Sequence, residues 1–165
     1  MSELRTNRII PRDGLTSGTG IGGGIIQVKS VTKTDDFDTQ STSLVDVPGL
    51  AVTITPTRSD SKILVCVNCC GVGSRGTGTS FSLRIKRDST RIWAIGNYIG
   101  YNVGGGVEVM PSGMYLDSPA TTSAVTYTLT GTRTNGSDNC YFNHSNSTGT
   151  GSQGGSSMTL MEVSG

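Results

Sequence analysis

The sequence is short of the residues that fill hydrophobic cores and build catalytic centres. Its 165 residues include one tryptophan, three phenylalanines and one histidine, and only 15% are charged. A single histidine excludes any catalytic or metal-binding group that needs two. No apolar run approaches the roughly 20 residues of a membrane-spanning helix, so we expect no membrane insertion. A net charge of +1 argues against a nucleic-acid surface, because domains that bind nucleic acids usually have a pI above about 9.

Helical periodicity is also missing, and strand-forming residues take its place. Nowhere do apolar residues recur at positions i, i+3, i+4 and i+7 over three turns. The chain has 24 glycines and 44 serines and threonines, and its apolar residues are dominated by valine and isoleucine, which favour strands. Turn signals such as Pro48-Gly49 and Asn135-Gly136 separate short alternating segments. The sequence therefore predicts an all-β protein, an antiparallel β-sandwich of jelly-roll type with eight to ten strands.

The predicted strands follow the turn signals in order. Asp35–Asp38 is interpreted as an exposed acidic turn, and Gly96–Gly106 as a glycine-rich loop. Eleven segments are candidates for these strands: Gly24–Thr34, Ser43–Val47, Leu50–Pro56, Lys62–Val72, Ser80–Arg87, Arg91–Ile95, Val107–Met110, Gly113–Leu116, Ala124–Thr134, Asn139–His144 and Ser157–Val163.

The first 23 residues have no core-forming pattern. Five glycines occur among residues 18–24, which is typical of a flexible hinge. The longest apolar stretch before them is only two residues, too short for a secretory signal. We expect residues 1–23 to be an extended attachment arm with a glycine-rich hinge, and residues 24–165 to be the sandwich. The side chains expected to attach the arm to another protein are Leu4, Arg5, Arg8, Ile9, Ile10 and Arg12.

The segment Lys62–Val72 is apolar on both of its faces. Ile63, Val65, Val67 and Cys69 point one way, and Leu64, Cys66, Asn68 and Cys70 point the other. A strand of this kind is buried on both sides, either under a loop or against another subunit. Because only 33% of the chain is hydrophobic, a single sandwich would have a thin core. We therefore expect a homotrimer, with Leu64, Cys66, Asn68 and Cys70 at the subunit interface.

The chain resembles small virion proteins of tailed bacteriophages, such as those of cyanophages and other marine phages. The resemblance rests on SELRTNRIIPRDG, the glycine-rich hinge, GGGIIQVKSVTKTDDFDTQSTSLVDVPGLAVTITPTRSDSKILVCV and the closing SSMTLMEVSG. It is weak between about Gly71 and Thr150, where loops would carry receptor choice. It implies a tail-fibre-like or head-decorating protein, typically trimeric, with an N-terminal attachment segment and a C-terminal β-sandwich.

The cysteines occur at spacings that are also found in zinc sites. Cys66 and Cys69 form a C-x-x-C pair, and Cys140 and His144 a C-x3-H pair. Residues three apart in a strand point to opposite faces, and no glycine lies between Cys66 and Cys69 to make the turn that a zinc knuckle needs. We therefore favour packed thiols over a metal site, and expect no cofactor. Disulfides are also disfavoured in a protein that assembles in the host cytoplasm.

Exposed aromatic residues are the remaining candidates for ligand contact. Trp93, Tyr98 and Tyr101 lie in or beside the glycine-rich loop. Such side chains stack on sugars and anchor interfaces, so these three residues are candidates for contact with a host-surface glycan. The alternative is that they close the end of the sandwich or a subunit contact.

No enzyme is predicted, because the chain lacks a G-x-S-x-G nucleophile turn and a phosphate-binding loop. The favoured function is that of a virion structural protein, a tail fibre or spike that attaches through its arm and presents a trimeric sandwich for host adhesion. A capsid-decorating protein and a carbohydrate-binding module remain as alternatives.

Overall fold

The computed structural model describes residues 24–74, 76–101, 107–144 and 154–164. Within these ranges it contains strands and no helix. The strands are β1 Ile25–Lys33, β2 Phe37–Thr39, β3 Val45–Ile54, β4 Lys62–Asn68, β5 Val72–Ser74, β6 Ser80–Arg87, β7 Thr90–Ile99, β8 Val107–Val109, β9 Ser112–Asp117, β10 Val125–Asn135, β11 Cys140–Phe142 and β12 Ser156–Val163.

These strands form three antiparallel sheets of four strands each. Sheet I has the order β1-β12-β4-β9, sheet II the order β3-β10-β6-β7 and sheet III the order β2-β11-β5-β8. Sheet III repeats the order of sheet I because β1 leads into β2, β4 into β5, β8 into β9 and β11 into β12. It is the continuation of sheet I beyond a bend.

The two sheet layers make a jelly roll. When sheet III is counted with sheet I, eight strands form two four-stranded layers, and the chain changes layer at every connection except the β6–β7 hairpin. This is the arrangement of a jelly-roll sandwich, so the predicted fold class is confirmed.

The core lies between the layers and is made by alternate residues of each strand. Ile63, Val65 and Val67 of β4 are at most 3% exposed and face the sheet II residues Leu83 and Ile85, which are fully buried. Near sheet III the core is aromatic: the rings of Phe81 and Phe142 meet edge to face at 5.1 Å between centroids, and Phe37 lies 6.2 Å from Phe142.

The predicted strand Lys62–Val72 is two strands in different sheets. β4 ends at Asn68 and β5 begins at Val72, with the bend between them. Gly71 lies at the bend with φ of +53°, and a Cβ there would come within 2.5 Å of the His144 carbonyl oxygen. Glycine is therefore required at this position, and it breaks a run that looks continuous by hydrophobicity alone.

Three further boundaries also differ from the sequence prediction. Pro48-Gly49 does not end a strand, because β3 continues through it with an irregularity: Asp46 lies opposite Thr130 and Ala51 opposite Thr128. Proline has no amide hydrogen for the ladder and Gly49 takes φ of +80°, so the pair makes a bulge. The acidic segment contains β2, and β7 extends through Gly96 to Ile99, where a loop was predicted.

Asn143 joins three of the bending strands. It is 1% exposed, and its amide nitrogen donates hydrogen bonds to the carbonyl oxygens of Lys33 and Asp35, both at 2.9 Å. Its amide oxygen accepts a bond from the Ser156 hydroxyl at 2.6 Å, and the same hydroxyl accepts a bond from the Cys70 amide at 2.9 Å. The bend between sheets I and III is therefore held by one side chain whose polar groups all have partners.

Candidate functional site: the apolar outer face of sheet I

The outer faces of the two layers differ in chemistry. The outer face of sheet II is polar: Thr53 and Thr126 share a hydrogen bond at 2.8 Å, and Lys86 pairs with Asp46 at 2.7 Å. Arg84 extends along the same face and donates a hydrogen bond to Asn97 at 2.9 Å. Polar side chains over an apolar core are what a water-facing sheet requires.

The outer face of sheet I is apolar. Directly opposed residues of an antiparallel sheet share a face, so the strand register defines rows across the four strands. The first row, here called the ridge, consists of Val28, Met161, Leu64 and Leu116. Val28 is 52% exposed and Leu116 54%, and Met114 in the next row is 71% exposed. Ile25 and Ile26 are also exposed, at a bulge that begins β1.

A groove lies beside the ridge on the same face. It has a volume of about 290 Å³ and is lined chiefly by small side chains. Its lining residues, here called the groove, are Cys66, Val67, Asn68, Ser112, Gly113, Met114, Ser157 and Thr159. The ridge, the groove and Ile25 and Ile26 together are called the apolar face below.

The edge strand β9 is fixed against sheet II. Tyr115 stacks on Trp93 of β7, with 5.8 Å between centroids and 13° between planes. Gly113 allows this approach, since a Cβ there would lie 2.5 Å from the Trp93 ring. At the end of β9, Asp117 accepts hydrogen bonds from Arg87 at 2.5 Å and from Tyr127 at 2.6 Å. The exposed side chains of β9 are therefore carried by a strand with well-defined inner contacts.

The start of β1 is fixed by a buried carboxylate. Glu162 is fully buried and accepts hydrogen bonds from the Gln27 amide at 2.6 Å and from the Thr57 amide and hydroxyl, both at 2.7 Å. Burial by itself would raise the pKa of Glu162, but the hydrogen bonds from Gln27 and Thr57 outweigh it and lower the pKa to about 2. The carboxylate thus ties β1 to the connection between β3 and β4.

The structure brings three of the four predicted interface residues onto the apolar face. Leu64 and Cys66 are half-buried and Asn68 is exposed, all on the outer side of β4 as the alternation predicts. Cys70 lies beyond the end of β4, at the bend, where its backbone is bonded to Ser156. The role of these residues in a trimer stays a prediction.

The predicted receptor-contact residues are separated into two places. Trp93 is half-buried and lies between the layers, with one ring face on Tyr115. Tyr98 is 61% exposed and Tyr101 49%, and their rings meet edge to face at 6.5 Å between centroids. Tyr98 has φ of +56°, a conformation that is strained for a bulky residue. Glycan contact by any of the three stays a prediction.

The cysteines are divided between the inner and outer faces. Cys69 and Cys140 are fully buried in the core, whereas Cys66 lines the groove. Burial, with a smaller effect of Cys70, raises the pKa of the Cys69 thiol to about 12, and burial raises the pKa of Cys140 to about 11. No cluster of three or more metal-ligating side chains occurs among the residues that the structure describes. Cys69 and Cys140 therefore behave as small apolar core residues.

The predicted attachment residues Leu4, Arg5, Arg8, Ile9, Ile10 and Arg12 lie outside the described residues. Residues 1–23 join the sandwich at Gly24, whose carbonyl oxygen accepts a hydrogen bond from the Ser164 amide at 3.3 Å. The described part of the chain has no helix long and apolar enough to cross a membrane.

Sequence reasoning missed most of the apolar face. Val28, Met114, Leu116 and Met161 were not singled out, although each belongs to a predicted strand. The signal was present in β9, where Met114 and Leu116 alternate with Tyr115, so that both faces of the strand carry large apolar residues. Only the strand order shows that these residues and Leu64 lie in adjacent rows.

Comparison with known proteins shows a shared fold. No family model and no curated protein matches the sequence. The VP2 subviral particle of infectious bursal disease virus matches with a TM-score of 0.52 and 11% identity, over 84% of this chain and 33% of that chain. The structure of the Gt strain of the same virus matches with a TM-score of 0.48 and 11% identity, over 83% of this chain and 32% of that chain. This chain thus spans about a third of the viral chains, and the likeness to the subviral particle is one of β-sandwich fold.

Proposed function

We propose that this chain is a non-enzymatic structural protein of a phage virion, a tail fibre or spike component. It attaches through residues 1–23 and presents a trimeric β-sandwich to the host surface. The resemblance of its terminal segments to small virion proteins of tailed phages supports this assignment, and the jelly-roll fold is compatible with it.

The observation that carries the proposal is that the two ends of the sandwich differ. Residues 1–23 enter at Gly24, at the end of sheet I that is remote from the bend. The turn that carries Tyr98 and Tyr101 lies at the other end, since Gly100 approaches Gly73 of sheet III. In this proposal the end at Gly24 serves for attachment, and the opposite end presents the exposed side chains of Tyr98 and Tyr101.

Deletion of residues 1–23 tests the attachment. The truncated protein should keep the β-sheet circular dichroism and the unfolding midpoint of the full chain, because Gly24 and the residues after it make the contacts of β1. It should be absent from purified particles when it replaces the full chain during phage assembly. Incorporation of the truncated protein at the normal level would contradict the attachment role.

Head decoration is the second candidate, favoured by the fold shared with the VP2 subviral particle. Gold-labelled antibody against the sandwich, applied to intact particles, separates the two locations. Label at the tail tip or fibres supports the first proposal, and label spread over the head supports the second. A carbohydrate-binding module outside any virion is supported only by the exposed pair Tyr98 and Tyr101, and absence of label from every particle would favour it.

A further inference from the structure

We propose that the apolar face binds a second copy of this chain, with the ridge of one copy occupying the groove of the next. This inference rests on the proposed trimeric assembly and names the surface and the side chains that make it. It extends the interface predicted from β4 to all four strands of sheet I.

The charge of the face favours a copy of the same chain. Among the described rows of sheet I whose side chains lie on the same face as the ridge, the one charged residue is Lys62, which bonds to Ser118 at 2.8 Å. Two copies of a nearly neutral face meet without like-charge repulsion. The outer face of sheet II instead carries charged side chains, among them Arg84 and the pair Lys86 and Asp46, which would lose their hydration in such a contact. A charged partner, such as an acidic protein, would find almost nothing to pair with on the apolar face.

The shape of the face is complementary to itself. The ridge carries long or branched side chains, whereas five of the eight residues that line the groove are serine, threonine, cysteine or glycine, the others being Val67, Asn68 and Met114. Because the two features lie side by side on one sheet, each copy offers both a projection and a depression. Association by a rotation axis then lets every copy use both, which gives a closed oligomer. Cys66 and Asn68 would become covered in every copy.

The size of the face suits a subunit contact. Four strands about 4.8 Å apart, with β12 eight residues long at about 3.3 Å per residue, present about 500 Å² in projection. Specific interfaces bury about 800 Å² per partner, so the face supplies most of the required area.

The test compares two lysine substitutions on opposite faces of the full chain. Leu116→Lys places a charge at the β9 end of the ridge, on a residue that is 54% exposed and should tolerate it in the isolated subunit. Ala51→Lys places the same charge on the outer face of sheet II, where Ala51 is exposed. Light scattering after size exclusion should give about three times 17.2 kDa for the wild type and for Ala51→Lys, and 17.2 kDa for Leu116→Lys.

The thiol of Cys66 gives a second measurement that does not depend on a variant. In the assembled wild type Cys66 should resist alkylation, and in Leu116→Lys it should react, as read by peptide mapping after iodoacetamide treatment. Rapid alkylation of Cys66 in a wild-type oligomer would contradict the inference even if Leu116→Lys fails to fold.

The outcomes separate this inference from the proposed trimer. A wild-type monomer at micromolar concentration contradicts both. An oligomer that survives Leu116→Lys with Cys66 reactive contradicts the inference and leaves the trimer intact through another surface. If deletion of residues 1–23 exposes Cys66 without changing the number of subunits in the oligomer, the arm covers the face and a second copy does not.

Discussion

Asn143 is the most demanding position in the fold, and its replacement by aspartate or alanine should strongly destabilise the protein. The amide donates to two backbone carbonyls, accepts from Ser156, and has φ of +51°. Loss of both donors leaves two carbonyl oxygens without partners, at about 1–3 kcal/mol each. Alanine adds roughly 1 kcal/mol of left-handed backbone strain. The expected loss in the free energy of unfolding is about 4 kcal/mol for Asn143→Ala.

Asn143→Asp keeps the shape of the side chain and should be at least as destabilising at neutral pH. Its second carboxylate oxygen would face the carbonyl oxygens of Lys33 and Asp35 instead of donating to them. Burial and this repulsion raise the pKa of the introduced carboxyl in the folded state. The destabilisation is therefore complete above that raised pKa and fades as the pH falls towards the unfolded value of about 3.9. Asn143→Asp should approach the wild type in mild acid, and Asn143→Ala should not.

Urea unfolding of both variants beside Asn135→Asp measures the effect. Asn135 is exposed at the end of β10, so this control makes the same chemical change without the buried contacts. With urea m-values of about 1–3 kcal/mol per molar, a loss of about 4 kcal/mol lowers the midpoint by more than about 1 M. If Asn143→Asp and Asn135→Asp unfold at the same midpoint at pH 7, the bend does not depend on Asn143.

Three further predictions concern Glu162 and the cysteines. Because hydrogen bonds hold the pKa of Glu162 at about 2 in the folded state, against 4.5 for the unperturbed group, its stabilisation is present above pH 4.5 and is lost as the pH falls towards 2. Glu162→Gln should flatten the pH dependence of the unfolding midpoint in that range, and an unchanged slope would refute the assignment. Protein purified without added metal should contain no stoichiometric zinc and should keep its melting temperature in EDTA, because Cys69 and Cys140 are packed in the core. A melting temperature that depends on metal would show that a zinc site exists. Cys69→Ala should cost about 1–2 kcal/mol through lost core contacts, whereas Cys66→Ala should cost less in an isolated subunit because Cys66 lies on the outer face.

The fold class was accessible from sequence because alternation and turn residues report on local structure. Ile63, Val65 and Val67 face the core as their spacing predicts, and β10 ends at the turn residues Asn135-Gly136. The break at Gly71 was not accessible, since the need for glycine there comes from the approach of His144, far away in the chain. A bend that depends on tertiary contact leaves no mark in local hydrophobicity.

The candidate site was accessible only in part for a similar reason. The alternation of residues in β4 shows apolar side chains on both faces of the strand, so Leu64, Cys66 and Asn68 could be assigned to its outer face from the sequence. Met161 and Val28 could be grouped with them only after the order β1-β12-β4-β9 was known. Trp93 was found as an aromatic residue near a loop, but its stacking on Tyr115 depends on the contact between the edges of two sheets.

The position of β12 between β1 and β4 has a consequence for how the protein folds. Sheet I cannot close until β12 has been synthesised, because β1 has no hydrogen-bonded neighbour in that sheet other than β12. Both pairings of β12 join distant parts of the chain, and such long-range closure slows folding. Until β12 has been synthesised, the edges of β1 and β4 that pair with it stay unpaired and their apolar side chains stay exposed. Self-association of these strands would then compete with folding. A chain that stops before β12 should accumulate as aggregates rather than as a partly folded sandwich.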